Sequence, residues 1–320
     1  MIKKINLYHS LIFFISSIFI SGFIFIRDNN HMVICLFLIL TLGISHGSLD
    51  HIKGKKILKF FNIKSISIFY IGYSSISLLV ILMWIIFPKI LLFIFFMLAA
   101  YHFGKEDADF LKIETKIYDE LLYFLKGLPV IVSPLLFHKV DTILIFQSIN
   151  FNISGIILIE NILLYIFLFL SFCSILFLSL KQKMEIKFLF LMDFFSILIL
   201  NFFLNPLVAF TMYFCFLHSI RHSLSLILQL NKNIKKGFDL FVKKALPLTI
   251  ITALIYLLSL YFLNNYYELN QSIYKVIFIG LASLTFPHIL LEYLIKKKWN
   301  LMLILYLIGK KWKTKKLKFF

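Results

Sequence analysis

The sequence predicts an all-α integral membrane protein, a polytopic bundle of about ten transmembrane helices with both termini in the cytoplasm. Of its 320 residues, 61% are hydrophobic and only 15% are charged, and the mean hydropathy is +0.94. The apolar residues form repeated runs close to the ~20 residues that a helix needs to cross a bilayer. Polarity does not alternate along these runs, which excludes an outer-membrane barrel built from strands of about 10 alternating residues.

The predicted spans cover the chain as one membrane domain, residues 1–320. They lie at about 8–26, 32–50, 66–87, 90–104, 121–137, 155–180, 187–203, 206–230, 246–263 and 273–295. The first span follows Lys3 and Lys4 like a signal peptide, but it lacks a small-residue cleavage site and continues to Arg27, which favours a transmembrane helix. Residues 138–154 are expected to form a re-entrant or interfacial piece, and residues 296–320 a basic cytoplasmic tail.

The basic residues set the predicted topology. The chain has 33 Lys and Arg against 15 Asp and Glu, a formal charge of +18. In a soluble protein this balance would indicate nucleic acid, but here the basic residues lie in short loops, where they orient the spans, and no nucleic-acid partner is expected. Ten spans place 28 of them on one side and four on the other, which puts both termini in the cytoplasm. Arg221 lies within a span, and we expect it to reach the cytoplasmic headgroups.

The nine histidines fall into two groups. His9, His31 and His138 lie near span ends or in loops and are expected to be interfacial. The other six are His46, His51, His102, His218, His222 and His288. Ionisable residues inside a membrane are functional candidates by default. Apart from His51, at the inner rim, they lie in one layer ~18 to 24 Å below the outer end of their spans, at ~1.5 Å per residue.

The residues themselves favour a metal site. His218 and His222 are four residues apart, so both rings share one helix face and can bind one ion. The nearby carboxylates, Asp50, Glu106 and Asp107, can hold imidazole N–H groups, which leaves a nitrogen-only ligand set suited to iron, copper or zinc. Two alternatives stay open: histidines that hydrogen-bond between helices, and a haem with axial histidines from two helices.

Three glycines flank the histidines. They are Gly43, Gly47 and Gly104, and a residue without a side chain lets a backbone or a ligand approach closely. Simple close packing between helices would explain the same glycines equally well. The sequence therefore predicts close approach at these positions without deciding what approaches.

The histidine motifs, taken in order, resemble a known family. The segment GISHGSLDH at 43–51, YHFGKED at 101–107, the pair at 218 and 222 and a Pro–His at 287–288 are similar to those of the Brp/Blh family of β-carotene 15,15′-dioxygenases. The resemblance extends from the second span to the last. The chain departs from the family at Ser45 and Ser48, where Pro and Ala are usual.

The resemblance implies an activity and a set of roles. Fe²⁺ would be held by His46, His102, His218 and His222. Beside these implied ligands, we expect Asp50 and Asp107 to orient the rings, Tyr101 and His288 to line the pocket, and His51 to do one or the other. The implied reaction is cleavage of the central 15,15′ double bond of β-carotene by O2 into two molecules of all-trans-retinal. It implies a bacterial or archaeal inner membrane, and retinal supplied to a retinal-binding rhodopsin.

Two other functions are weighed beside this one. A membrane di-iron desaturase or hydroxylase acting on a lipid also uses histidines near the cytoplasmic face. It would need about eight of them, with an adjacent His–His pair, whereas this chain has six in position and no such pair. A metal or proton transporter would need a polar path to the outer face, yet the outer halves of the spans carry few polar residues.

Overall fold

The computed structural model describes the backbone of residues 2–23, 31–111, 117–150, 160–180 and 182–316; the side chains at 23, 46, 60, 111, 117, 118 and 296–316 are not described. Those residues form helices and no strand, which confirms the predicted all-α class. The α-helices are α1 Ile2–Phe23, α2 His31–Leu38, α3 Asp50–Phe60, α4 Ser67–Ile86, α5 Pro88–Glu106, α6 Ile117–Gly127, α7 Pro129–Phe137, α8 Lys139–Ser148, α9 Asn161–Ser179, α10 Met184–Phe203, α11 Pro206–Met212, α12 Ile220–Leu230, α13 Ile234–Leu263 and α14 Leu269–Lys316.

Nine helical segments of the described chain are long and apolar enough to cross a membrane. They are Ile2–Gly22, His31–Lys59, Ser67–Ile86, Pro88–Glu106, Asp119–Phe137, Asn161–Ser179, Met184–Phe203, Ile234–Leu263 and Leu269–Ile295. Each contains or overlaps one predicted span, which supports a multi-pass membrane protein. The remaining prediction, 206–230, is helical throughout but is less apolar because it carries His218, Arg221 and His222.

Two terminal and loop predictions have partial structural counterparts. Within the predicted interfacial piece at 138–154, residues Lys139–Ser148 form α8, and residues 151–154 lie outside the described part. In the predicted tail, α14 continues as a helix to Lys316. Whether either piece lies at the membrane surface stays a prediction.

The bundle has a largely apolar core and an apolar outside. Trp84, Leu92, Leu200, Leu217 and Ile277 are almost fully buried in the main core. Large apolar side chains are also exposed along the outside, for example on α4, α9 and α13. A soluble protein rarely exposes apolar patches of this kind, so these faces are suited to lipid.

Helices α5 and α6 pack backbone against backbone. A Cβ on Gly104 would lie 1.8 Å from the carbonyl oxygen of Tyr123, and one on Gly127 would lie 1.9 Å from that of Ala100. Only glycine fits at such a crossing. Gly104 therefore serves helix packing, and the crossing fixes the part of α5 that carries His102.

Two π-helical turns interrupt the helices that carry the histidine motifs. They are Ile39–Gly43, just before His46, and Tyr213–Ser219, which contains His218. The turns pack together, and the hydroxyl of Ser219 donates to the carbonyl of Gly43 at 3.1 Å. A Cβ on Gly43 would meet the ring of Phe214 at 2.6 Å, so this glycine also serves packing. Such turns are rare and often mark functional sites.

Candidate metal centre

Four histidine rings from α5, the second π-helical turn, α12 and α14 meet inside the bundle. The ring centroids of His102 and His218 are 5.2 Å apart, those of His102 and His288 5.1 Å, and those of His222 and His288 6.2 Å. His102, His218 and His288 are buried. The backbone of His46 lies in the 3₁₀ helix Ile44–Leu49, and its side chain is outside the described part. The structure thus brings together rings that the sequence separates by up to 186 positions.

Three of these rings are held by a carboxylate at Nδ1. The pairs are His218 with Asp107 at 2.9 Å, His222 with Glu106 at 2.7 Å, and His288 with Asp50 at 2.7 Å. A carboxylate at Nδ1 fixes the tautomer and the ring orientation, so Nε2 is the nitrogen that can bind a metal ion. This outer partner is a regular feature of histidines that bind metals.

The carboxylates are themselves held in place. Asp107 also accepts a hydrogen bond from the hydroxyl of Tyr213 at 2.8 Å, and Asp50 accepts one from Tyr73 at 3.1 Å. Burial alone would raise the pKa of Asp107, but His218 and two nearby cations lower that pKa below its ordinary value. Asp107 therefore stays ionised and able to accept both hydrogen bonds.

Two groups of side chains have the spacing of metal ligands. The potential ligand atoms lie within 4.8 Å of one another in each group: His102, His288 and Glu292 in one, and Glu106, His222 and Glu292 in the other. Imidazole and carboxylate donors of this kind suit iron, zinc or manganese. The residues present therefore fit a divalent transition-metal ion.

Glu292 is absent from the site that the sequence predicted. It lies four residues after His288 on α14, so the two side chains share one helix face. A carboxylate inside a span is a functional candidate in its own right. That spacing and that location are the signals that could have found it.

A comparison with known protein families matches most of the chain, including the six histidines that the sequence places in or at the rim of the spans. The family profile described as β-carotene 15,15′-dioxygenase matches residues 37–296. The chain belongs to this family. A curated relative, the β-carotene 15,15′-dioxygenase of uncultured marine bacterium 66A03, is 28% identical over 260 residues, which cover 80% of this chain and 90% of the relative. No solved structure matches the chain.

Membership of the β-carotene 15,15′-dioxygenase family confirms the resemblance that the motifs predicted, and it makes the chain an oxidoreductase. The matched range begins in α2 and ends in α14. It therefore contains every residue of the candidate metal centre, together with the two π-helical turns.

Tyr101 and His51 are predicted to lie at the pocket of this β-carotene 15,15′-dioxygenase family member. Their hydrogen bonds in the structure are made to residues outside the histidine cluster. The hydroxyl of Tyr101 donates to Glu120 of α6 and accepts from Lys105 at 3.0 Å. His51 donates from Nδ1 to the carbonyl of Ser48 at 2.9 Å. Because adjacent helical residues point about 100° apart, Tyr101 faces α6 while His102 faces the other histidines.

The expectation for Arg221 is wrong. It is 2% exposed and donates to both carboxylate oxygens of Asp193, at 2.6 and 2.9 Å, and to the hydroxyl of Ser10 at 2.6 Å. Partners on α10 and α1 hold it inside the bundle, and sequence spacing gives no sign of them. Arg221 lies between His218 and His222, so these contacts tie the histidine pair to two other helices.

Proposed function

We propose that this protein cleaves the central 15,15′ double bond of β-carotene with O2 and releases two molecules of all-trans-retinal, using Fe²⁺ bound at the histidine cluster. Family membership supports carotenoid cleavage. It also favours this function over a lipid desaturase and over a transporter. The observation that carries the metal centre is that three clustered imidazoles each have a carboxylate at Nδ1.

The proposed iron ligands are His46, His102, His218 and His222, as the motifs imply. Bound iron would supply the redox chemistry that allows O2 to react with an alkene. In the balanced reaction the carbon–carbon double bond is broken, and each carbon takes one oxygen atom and becomes an aldehyde. The protein's own contribution is to orient the ligands, position the polyene and exclude water.

Aromatic side chains beside the histidines suit a flat, apolar substrate. The ring of Phe214 stacks on His218 with centroids 5.9 Å apart and an interplanar angle of 16°. Phe210 stacks on Phe214 at 5.4 Å, and Phe278 contacts Phe210 at 5.7 Å. We propose that the polyene lies along this aromatic row. The length and shape of the space along this row would then determine which carotenoid binds, because a hydrocarbon forms no hydrogen bonds.

The surroundings of the reaction follow from the same proposal. A carotenoid dissolves in the bilayer, so it would enter the bundle sideways from the lipid. The location would be a bacterial or archaeal inner membrane, and the retinal would pass to a retinal-binding rhodopsin.

The direct test supplies β-carotene. Cells that accumulate β-carotene and express the chain should bleach and accumulate retinal, whereas cells that express His218→Ala should keep their colour. Purified protein should convert β-carotene into retinal in the presence of Fe²⁺ and O2. A purified protein that leaves β-carotene untouched while converting a shorter apocarotenal would contradict the proposed substrate.

A further inference from the structure

Glu292 differs from the other carboxylates of the cluster in the ring nitrogen that it approaches. Asp50, Glu106 and Asp107 contact Nδ1 atoms, the side of a ring that faces away from a metal. The Oε1 atom of Glu292 lies 3.7 Å from Nε2 of His288, the side that would face one. This position fits a ligand better than an outer partner.

The spacing fits two ligands of one ion. With bonds of about 2.0 to 2.2 Å, two ligand atoms on the same ion are roughly 3.0 Å apart at a right angle and about 4.2 Å apart when opposite. The distance of 3.7 Å between His288 and Glu292 falls in this range and is too long for a hydrogen bond. His102 completes a group whose donor atoms all lie within 4.8 Å.

Electrostatics favour an oxygen ligand at this depth. Four neutral imidazoles would leave the charge of a divalent ion to be balanced only by the carboxylates behind the rings, and charge inside an apolar bundle is costly. A carboxylate ligand reduces that charge at the metal itself. Glu292 is also common to both groups of potential ligands, so it is central to the donor set.

Lys53 on α3 holds the same carboxylate. Its Nζ lies 2.8 Å from Oε1 of Glu292 and 3.9 Å from Oδ1 of Asp50. An ammonium at this distance limits the rotation of the glutamate side chain. Helices α3 and α14 are thereby joined beside the histidines.

We propose that Glu292 is a ligand of the metal ion, bound together with His102 and His288, so that the donor set is mixed nitrogen and oxygen. The proposal rests on the metal centre of the proposed function and extends the histidine-only set. It also makes His288 a ligand, which the motifs alone leave as a pocket residue.

The test measures metal binding by the purified full-length chain without carotenoid, using Co²⁺ as the spectroscopic probe and Fe²⁺ in competition with a chelator. Glu292→Gln removes the charge but keeps the shape, and it should weaken metal affinity at least 10-fold and change the Co²⁺ absorption spectrum. The matched control is Glu185→Gln, an exposed glutamate in the first turn of α10, which should match the parent chain.

Glu292→His separates a ligand from a merely structural carboxylate. Imidazole is again a metal donor, so this variant should keep bound Co²⁺ with a shifted spectrum, even where Glu292→Gln unfolds. Loss of the metal from Glu292→His, or an unchanged affinity and spectrum in a folded Glu292→Gln, would overturn the proposal. Because no carotenoid is present, these results are independent of β-carotene cleavage, whose failure would overturn only the proposed function.

Discussion

A histidine is oriented to bind a metal when its second ring nitrogen makes a hydrogen bond. In this chain, carboxylates that are close in the sequence make those hydrogen bonds. Glu106 and Asp107 are consecutive residues, and they contact His222 and His218, which are one helical turn apart. Proximity in the sequence motifs suggests that carboxylates orient the rings. Which carboxylate contacts which ring depends on how the end of α5 meets the π-helical turn Tyr213–Ser219 and the start of α12, and the sequence does not contain that register.

Replacing His218 or His222 with Ala should remove iron and product together. Each variant loses one proposed ligand and opens a position to water. Iron per chain and retinal formed per chain are the two measurements. His138→Ala, in the loop before α8, is the matched control and should retain both. If His218→Ala or His222→Ala kept stoichiometric iron and full turnover, the proposed site would be refuted.

Asp107→Asn should weaken iron binding by about 10 to 100-fold and leave measurable activity, because an outer partner orients a ligand without binding the metal. The amide keeps the shape of the carboxylate but loses its charge toward His218. Tyr213→Phe, which removes only the second hydrogen bond to Asp107, should have a smaller effect. Chelator competition measures both affinities. A loss in Asp107→Asn as complete as in His218→Ala would show that Asp107 is itself a ligand.

The serines that depart from the family pattern have a local explanation. The hydroxyl of Ser45 donates to the carbonyl of Leu42 at 2.8 Å, and that of Ser48 donates to the carbonyl of Ser45. The first bond reaches back into the π-helical segment Ile39–Gly43, and the second stays within the 3₁₀ helix Ile44–Leu49. Each serine thus bonds the carbonyl three residues before it, a local contact that Ser side chains commonly make in helices.

At the scale of elements, helix positions follow from hydropathy, whereas helix irregularities do not. The spans at 66–87 and 187–203 match α4 and α10 within a few residues. The π-helical turns are not visible in an apolar run, because they change the backbone hydrogen-bond register and not the composition. The two turns meet at the hydrogen bond from Ser219 to the carbonyl of Gly43.

The buried pair of Arg221 and Asp193 joins α12 to α10, and breaking it should destabilise the protein. Arg221→Met leaves the Asp193 carboxylate buried without its guanidinium, at a cost of about 3 to 5 kcal/mol. Thermal unfolding in detergent measures the change. The double variant Arg221→Met with Asp193→Leu should be more stable than Arg221→Met alone, because it removes the unpaired charge. An unfolding temperature equal to that of the parent chain in Arg221→Met would contradict this assignment.

Gly104 tests whether the crossing of α5 and α6 positions the metal centre. In Gly104→Ala the added methyl group would overlap the Tyr123 carbonyl, so the helices must separate, at a cost of about 1 to 3 kcal/mol for overpacking. Metal affinity should fall, since His102 moves with α5. Gly72→Ala on α4, where a Cβ meets nothing within 4 Å, is the control and should not lower stability. If Gly104→Ala bound the metal as tightly as Gly72→Ala, the crossing of α5 and α6 would not be what positions the metal centre.

At the scale of the whole molecule, the predicted layer of histidines follows from their similar depth in spans that are all predicted to run in the same direction. The sequence predicts this layer from depth alone, and ring centroids 5.1 to 5.2 Å apart around His102 agree with it. Depth does not show lateral position, so the side chains that Glu292 and Arg221 contact are visible only in the structure. Polar residues that interrupt an apolar span are the ones that indicate a functional site in the sequence.

The topology depends on the segment 206–230, because it decides whether the chain crosses the membrane an even or an odd number of times. Its 25 helical residues extend ~37 Å at ~1.5 Å per residue, which is enough to span the hydrocarbon core. If it crosses, the basic residues outside it divide 28 against four; if it does not, they divide 15 against 17. The positive-inside rule favours the first division.

We therefore expect both termini, and the basic segments 53–64 and 232–244, to be cytoplasmic. Cytoplasm-active and exported reporters fused after residue 205 and after residue 232 should give opposite signals, because the histidine pair lies on the crossing between them. Fusions at the two termini should agree with each other. Equal signals at 205 and 232, or termini on opposite sides, would contradict the ten-span topology. They would also remove the shared depth that places His218 and His222 in the layer of His102.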